Sequence, residues 1–347
     1  VAACDGTQPT TLTGVVYDPA GKNPLPNVVV YIPNDVACLP PIQTGTHSCD
    51  TCEVPIGGYV SWTTTDETGS FALTPVPSGQ GVPVVIQLGK WRRVTPVNIN
   101  ACTTNAVRTP ALRLPRNHGE GDMPQMALVT GGLDDLGCFM RRMGIDAAEY
   151  SAPGAGGRLH IYQGLGSGSG ISPGNGPGLS TGTAGDCTGS ACPLWASRQS
   201  LETYDIVLLA CEGGENNQTK PPSAMTAMHD WLGEGGKLFA THFHYTWFMN
   251  SPASDFRNVA TWLGPSGVNG MGTYQIDTSR MAPGPERGPE FAKWLSMVGD
   301  ASGAGVPLRS AANSVSTVNV TSTKRWIFDP NSADEGPNLS TRVVAEV

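Results

Sequence analysis

From Thr11 to Leu114 apolar and polar residues alternate in short runs: TLTGVVYDP, NVVVYIP, YVSWTTTD, GSFALTPV, VPVVIQLG and RRVTPVNI, separated by Pro, Gly, Asn and Asp. A period of two in runs rich in Val, Ile, Thr and Tyr predicts strands. Several short strands joined by turns predict a small all-β sandwich over 1–114. A Pro- and Gly-rich insertion over 36–58 interrupts the series.

After a polar linker, 115–123 (PRNHGEGDM), the pattern changes. Pro124–Thr130, Arg158–Gln163, Tyr204–Cys211 and Lys237–His242 are mostly continuous apolar runs, and helical patterns cover Asp134–Gly144 and Pro222–Gly233. Strands that do not alternate and are separated by helices predict a mainly parallel sheet covered on both faces. The expected class is therefore two-domain, a sandwich followed by a flavodoxin-like α/β domain over 124–347. Within it, the Gly/Ser-rich segment 164–193 has too few apolar residues to build a core, so an exposed loop is expected. It lacks the GxxxxGK[ST] of a phosphate loop. Farther on, Phe256–Leu263 and Pro289–Val298 predict helices, and Ser314–Val320, Lys324–Phe328 and Arg342–Val347 predict strands of a C-terminal β extension.

Composition adds a compartment. Only 14% of the 347 residues are charged, while 44 are Gly and 29 Pro, so the surface is carried by small polar residues, as expected of a secreted, extracellular or cell-surface protein. A net charge of −8 argues against nucleic acid as a partner. The one local basic run, Lys90-Trp91-Arg92-Arg93, is expected to decorate a strand edge. Apolar runs are of strand length, so no membrane span is predicted. The start at Val1, without a basic, apolar leader, is expected of a processed product.

Nine cysteines, at 4, 38, 49, 52, 102, 138, 187, 192 and 211, include one CxxC, Cys49–Cys52, without the second pair that a zinc ribbon needs. Disulfides are the expected use. Cys187 and Cys192 close a short loop, and Cys4 or Cys102 is expected to pair with one of Cys38, Cys49 and Cys52.

Open α/β sheets bind ligands at the carboxyl ends of their strands. If the first, third and fourth strands are neighbours, these ends bring together Asp134, Asp135, Cys138, Cys211, Glu212, His242 and His244. Cys211 with His242 or His244 as base, and with Glu212 beside it, has the makings of a thiol nucleophile. His242 and His244, two apart on a strand, share a face and could present a divalent metal with two imidazoles, with Asp134, Asp135 or Glu212 as third ligand. A disulfide between Cys138 and Cys211 is the expected alternative to the thiol site. Tyr245 and Trp247 fit either a sugar-stacking platform or the core.

The sequence TGVVYDPAGKNPLPNVVVYIP followed by TTTDETGSFALTPVPSG resembles the carboxypeptidase-regulatory-like, transthyretin-like sandwich modules. That resemblance implies a stalk, spacer or binding scaffold. The order YDIVLL, GGENN, helix, GGKLF and then His resembles the class I glutamine-amidotransferase-like fold, and within it the trehalose-utilisation (ThuA-like) branch, over 124–248. There the nucleophile elbow reads G-x-C-x-G; here Leu209-Ala210-Cys211-Glu212-Gly213 lacks the first glycine. The pairing of the two resembles uncharacterised secreted bacterial proteins. The function expected first is therefore binding or extracellular assembly by a degenerate amidotransferase-like domain. Self-association through the C-terminal strand and a glycan or cell-surface partner go with it. The alternative is a secreted hydrolase using Cys211 or a metal at His242 and His244.

Overall fold

The computed structural model describes Cys4 and residues 8–45, 58–165, 182–183, 194–264, 272–281, 286–299, 301–308 and 314–330. Cys49, Cys52, Cys187 and Cys192, most of the loop expected over 164–193 and the strand expected over 342–347 lie outside the described residues. The chain forms two compact units, one from Val1–Met126 and Gly137–His160, the other from Ala127–Leu136, Ile161–Pro173 and Thr181–Val347.

Every alternating run before Leu114 becomes a strand: β1 Thr11–Val15, β2 Val29–Pro33, β3 Tyr59–Thr64, β4 Ser70–Leu73, β5 Gly79–Leu88 and β6 Trp91–Ile99. A seventh, β7 Thr104–Ala106, is a polar three-residue edge that pairs parallel with β1; TNA carries no alternation by which to predict it. Two sheets result, ordered β4-β1-β7 and β3-β2-β5-β6. Leu12, Val30, Ile32, Phe71, Leu73, Val84 and Ile86 belong to one apolar cluster, the core of a β-sandwich.

β2 departs from simple alternation, since all five of its residues are buried. The reason lies in the insertion: Leu39 packs with Val29, Tyr31, Val85 and Val94 on the other face. The basic run meets the expected strand edge, since β6 is the outer strand of its sheet; Arg92 is nonetheless buried there, its guanidinium donating to the Pro40 carbonyl at 2.7 Å and pairing with Asp122 at 2.9 Å. Cys4 and Cys102 form a disulfide with each other, rather than reaching into the insertion, and Cys38 is an exposed thiol.

The later strands and helices are β8 Met126–Val129, α1 Leu136–Arg142, β9 Tyr150–Ser151, β10 Leu159–Gln163, β11 Gly182–Thr183, α2 Arg198–Leu201, β12 Ile206–Leu209, α3 Pro222–Gly233 and β13 Lys237–Ala240. They build a sheet ordered β11-β10-β8-β12-β13, with β9 beside β10. β10 pairs parallel with β11, and β12 parallel with β13. The chain steps one way from β8 to β10 and the other way to β12, so the strand order reverses between β8 and β12. α3 starts with Pro222 in its first turn, where a missing N–H costs nothing. Its Met225, Met228 and Trp231 share a core cluster with Val207, Leu209, Trp195 and Trp247.

The chain continues as α4 Thr246–Met249, α5 Ser254–Arg257, β14 Ala260–Trp262, β15 Gly272–Ile276, α6 Gly288–Val298, β16 Gly305–Leu308, β17 Val315–Val318 and β18 Ile327–Phe328. Here the helix expected over Phe256–Leu263 is corrected. Only one turn forms, and Ala260–Trp262 becomes a strand antiparallel to β17. β-branched and aromatic residues favour an extended chain once a partner strand is available. β16, β15 and β18 form a further antiparallel sheet. No helix among the described residues is long and apolar enough to cross a membrane.

Candidate functional site

The carboxyl ends of β8, β12 and β13 lie side by side, at the reversal of strand order where open sheets hold their ligands. The turns after β8 and β12 interlock through their backbones. A Cβ on Gly131 would lie 2.2 Å from the Cys211 carbonyl oxygen, so only glycine admits this approach. Leu133 donates its N–H to that same oxygen at 3.1 Å. In return the Cys211 N–H donates to Asp134 Oδ2 at 3.2 Å. Gly213, at φ +82°, turns the chain sharply away behind the thiol.

Cys211 Sγ lies 3.4 Å from His242 Nδ1. The thiol is 1% exposed. Burial pushes its pKa up, against the backbone N–H groups of Gly213 and Phe243, which favour the thiolate; Asp134 and Glu212 add to the upward shift. Burial pushes the His242 pKa down, opposed by the charge of Asp134. The resting pair is thus thiol and neutral imidazole. The Cys211 backbone is not in the left-handed region, whereas His242 has φ +33°. A non-glycine residue in that region costs about 1–3 kcal/mol and persists only where its surroundings hold it.

His242 and His244 do not lie on a strand. β13 ends at Ala240, and both belong to a single 3-10 turn, His242–Tyr245. His244 is buried and turned inward, its Nε2–H donating to the Ala210 carbonyl at 2.8 Å. Burial lowers its pKa to about 4. The shared face expected of two strand histidines is therefore lost, and one imidazole is committed to the backbone. No group of three or more His, Cys, Asp or Glu residues suited to an ion occurs among the described residues.

Glu212 carries no solvent exposure on its side chain and neither does its partner Lys220, 3.0 Å away. The carboxylate also accepts from the Leu165 N–H at 3.1 Å and the Asn216 amide at 3.2 Å. Lys220 donates in addition to the Glu215 carbonyl at 2.9 Å. Burial lowers the Lys220 pKa, countered by Glu212. Sequence reasoning missed Lys220 and Asn216. A usable signal existed, because Lys220 sits just before the start of α3, where a cation opposes the helix dipole unless an anion compensates it.

Of the other expected site residues, Asp135 is exposed. Tyr245 and Trp247 are buried, Trp247 edge-on to Trp195 at 5.0 Å, so they belong to the core and offer no stacking platform. The Tyr245 hydroxyl donates to Glu215. Cys138 and Cys211 are both thiols, and the disulfide expected between them is not formed.

No protein-family model matches the chain, and no curated protein matches it. Among solved structures, it is similar over 40% of its length to a type II cohesin–X-dockerin complex from Acetivibrio cellulolyticus. That likeness spans 85% of the other chain at 15% identity with a TM-score of 0.21, a level that supports no assignment.

Proposed function

We propose that the strand-end cluster is a thiol-dependent acyl-transfer or hydrolytic site, with Cys211 as nucleophile and His242 as general base. The observation that carries this reading is the 3.4 Å approach of Cys211 Sγ to His242 Nδ1, within reach for proton transfer to a base. The strand order 2-1-3-4 of β10, β8, β12 and β13 supports a flavodoxin-like, amidotransferase-like sheet. Sγ attacks the carbonyl carbon of an ester or amide while its proton passes to Nδ1. The leaving oxygen or nitrogen takes that proton as its bond to carbon breaks. Water then attacks the thioester, His242 accepts the water proton, and the carboxylic acid leaves as the thiol re-forms. The Cys4–Cys102 disulfide supports a secreted or surface location.

The test is site-resolved alkylation of Cys211 by iodoacetamide across neutral and alkaline pH, in the wild type and in His242→Ala, together with intact-mass trapping of a Cys211 acyl adduct on nitrophenyl esters. The expected result is an adduct, and a neutral-pH alkylation rate that His242→Ala lowers by tenfold or more, on the order of a general-base contribution. Superimposable pH profiles and no adduct would overturn it.

A second reading, binding or extracellular assembly by a degenerate domain, is favoured by Leu209 in place of the first elbow glycine and by the burial of the thiol. It predicts oligomers or fibres whose formation is abolished by deleting the residues after Arg342; a monomer by light scattering in the full chain would count against it.

A further inference from the structure

Glu212 and Lys220 form an ion pair with no solvent exposure on either side chain. Such a pair contributes little stability compared with an apolar pair of equal volume, because both charges have been taken from water. A pair that adds little stability can serve another role, and the geometry beside the thiol supplies one. The Glu212 carboxylate joins three segments at the strand ends. It takes the N–H of Leu165 two residues beyond β10, the amide of Asn216 in the turn after β12, and the ammonium of Lys220 at the entry to α3. Lys220 closes the loop on itself through the Glu215 carbonyl, and Asn216 holds φ +48° between them. The three bonds to the carboxylate act on the residue that directly follows Cys211. An apolar pair would fill the space but would hold no direction.

We infer that Glu212 and Lys220 are positioning residues, whose bonds fix the turn carrying Cys211 so that its sulfur meets His242. The inference rests on the thiol–imidazole reading proposed above. Hydrogen bonds with fixed partners set the orientation of the Cys211 to Gly213 turn, and a displacement of the reacting atoms by about 1 Å is enough to lose on the order of a hundredfold in rate.

The experiment is a double-mutant cycle on the full chain, reading site-resolved iodoacetamide alkylation of Cys211 by peptide mass spectrometry. His242→Ala is introduced into the wild type and into the paired variant Glu212→Leu with Lys220→Met, with folding followed by circular dichroism and urea midpoint. The paired variant is expected to fold with a lowered midpoint, since removing the ion pair leaves the Leu165 N–H and the Asn216 amide without their acceptor. His242→Ala is expected to slow neutral-pH alkylation tenfold or more in the wild type, and to have no effect in the paired variant. An equal effect in both backgrounds, with the paired variant folded, would overturn the positioning role and leave the thiol–imidazole reading standing. No effect in the wild type would overturn that reading, and the positioning role with it. Asn216→Gly keeps the left-handed backbone and removes one Glu212 contact. If the paired variant does not fold, Asn216→Gly carries the test: a His242 effect cut at least several-fold supports the role, and an undiminished one refutes it.

Discussion

His244 donates its Nε2–H to the carbonyl of Ala210 at 2.8 Å, so the second histidine of the pair fastens the end of the strand whose next residue is the thiol. It acts on Cys211 through the backbone while His242 meets the sulfur directly. Two imidazoles of one turn thus have separate partners, one a backbone carbonyl and the other the Cys211 sulfur.

This difference makes His244 a source of acid sensitivity. Its folded pKa is about 4 because burial disfavours the cation, against 6.5 for the ordinary side chain. Between those values the unfolded chain binds a proton that the folded chain refuses. Stability therefore falls as pH drops from 6.5 towards 4, by roughly 3 kcal/mol, and levels off below. Urea unfolding across this window is expected to show that slope. His244→Phe removes this part of it at a cost of about 1–3 kcal/mol at neutral pH, since the Ala210 carbonyl loses its donor.

Asp134 raises the pKa of both the Cys211 thiol and the His242 imidazole. Asp134→Asn keeps an acceptor for the Cys211 N–H and removes the charge. The alkaline inflection of Cys211 alkylation is expected to move to lower pH. An unmoved inflection would mean that solvent screens this carboxylate.

Gly131 leaves no room for a side chain. Gly131→Ala sets a methyl 2.2 Å from the Cys211 carbonyl oxygen, and relief requires one of the two turns to shift. A destabilisation of about 2–4 kcal/mol is expected from thermal or urea unfolding. A loss below half a kilocalorie per mole, ordinary for a surface substitution, would show that the turns part easily.

The Cys4–Cys102 bond spans a sequence separation of 98, so it ties the start of β1 to the approach to β7. Restricting an unfolded loop of that size is worth about 4–5 kcal/mol in the chain-entropy account. Reductant, or Cys4→Ala with Cys102→Ala, is expected to lower the urea midpoint of the sandwich accordingly. Identical unfolding curves would place the bond outside the cooperative unit.

Local patterns carried the fold further than they carried the site. The strands β1 to β6 and the alternation of β8, α1, β10, β12, α3 and β13 were legible because apolar periodicity records which faces are buried. The segment Phe256–Leu263 misled because its apolar spacing suits a helix, while its conformation is decided by β17, some fifty-five residues later, through the pairing of Ala260 with Val318. At the site, Cys211, Asp134 and His242 stand out in the sequence by chemistry and by position at strand ends. Lys220 did not, because a lysine reads as solvated until the carboxylate that buries it is known. Nor did sequence reveal that β13 stops at Ala240; two residues of strand more or less decide whether His242 and His244 share a face.

The burial of Cys211 also makes its sulfur a reporter of motion. A thiol only 1% exposed at the end of β12 can meet a reagent only when the surrounding turns part. Its labelling rate in dilute denaturant then measures how often β8, β12 and β13 separate at their ends, independently of whether the whole chain unfolds. Comparing that rate with the exposed thiol of Cys38, which needs no opening, would separate the breathing of this sheet end from the intrinsic reactivity of the reagent.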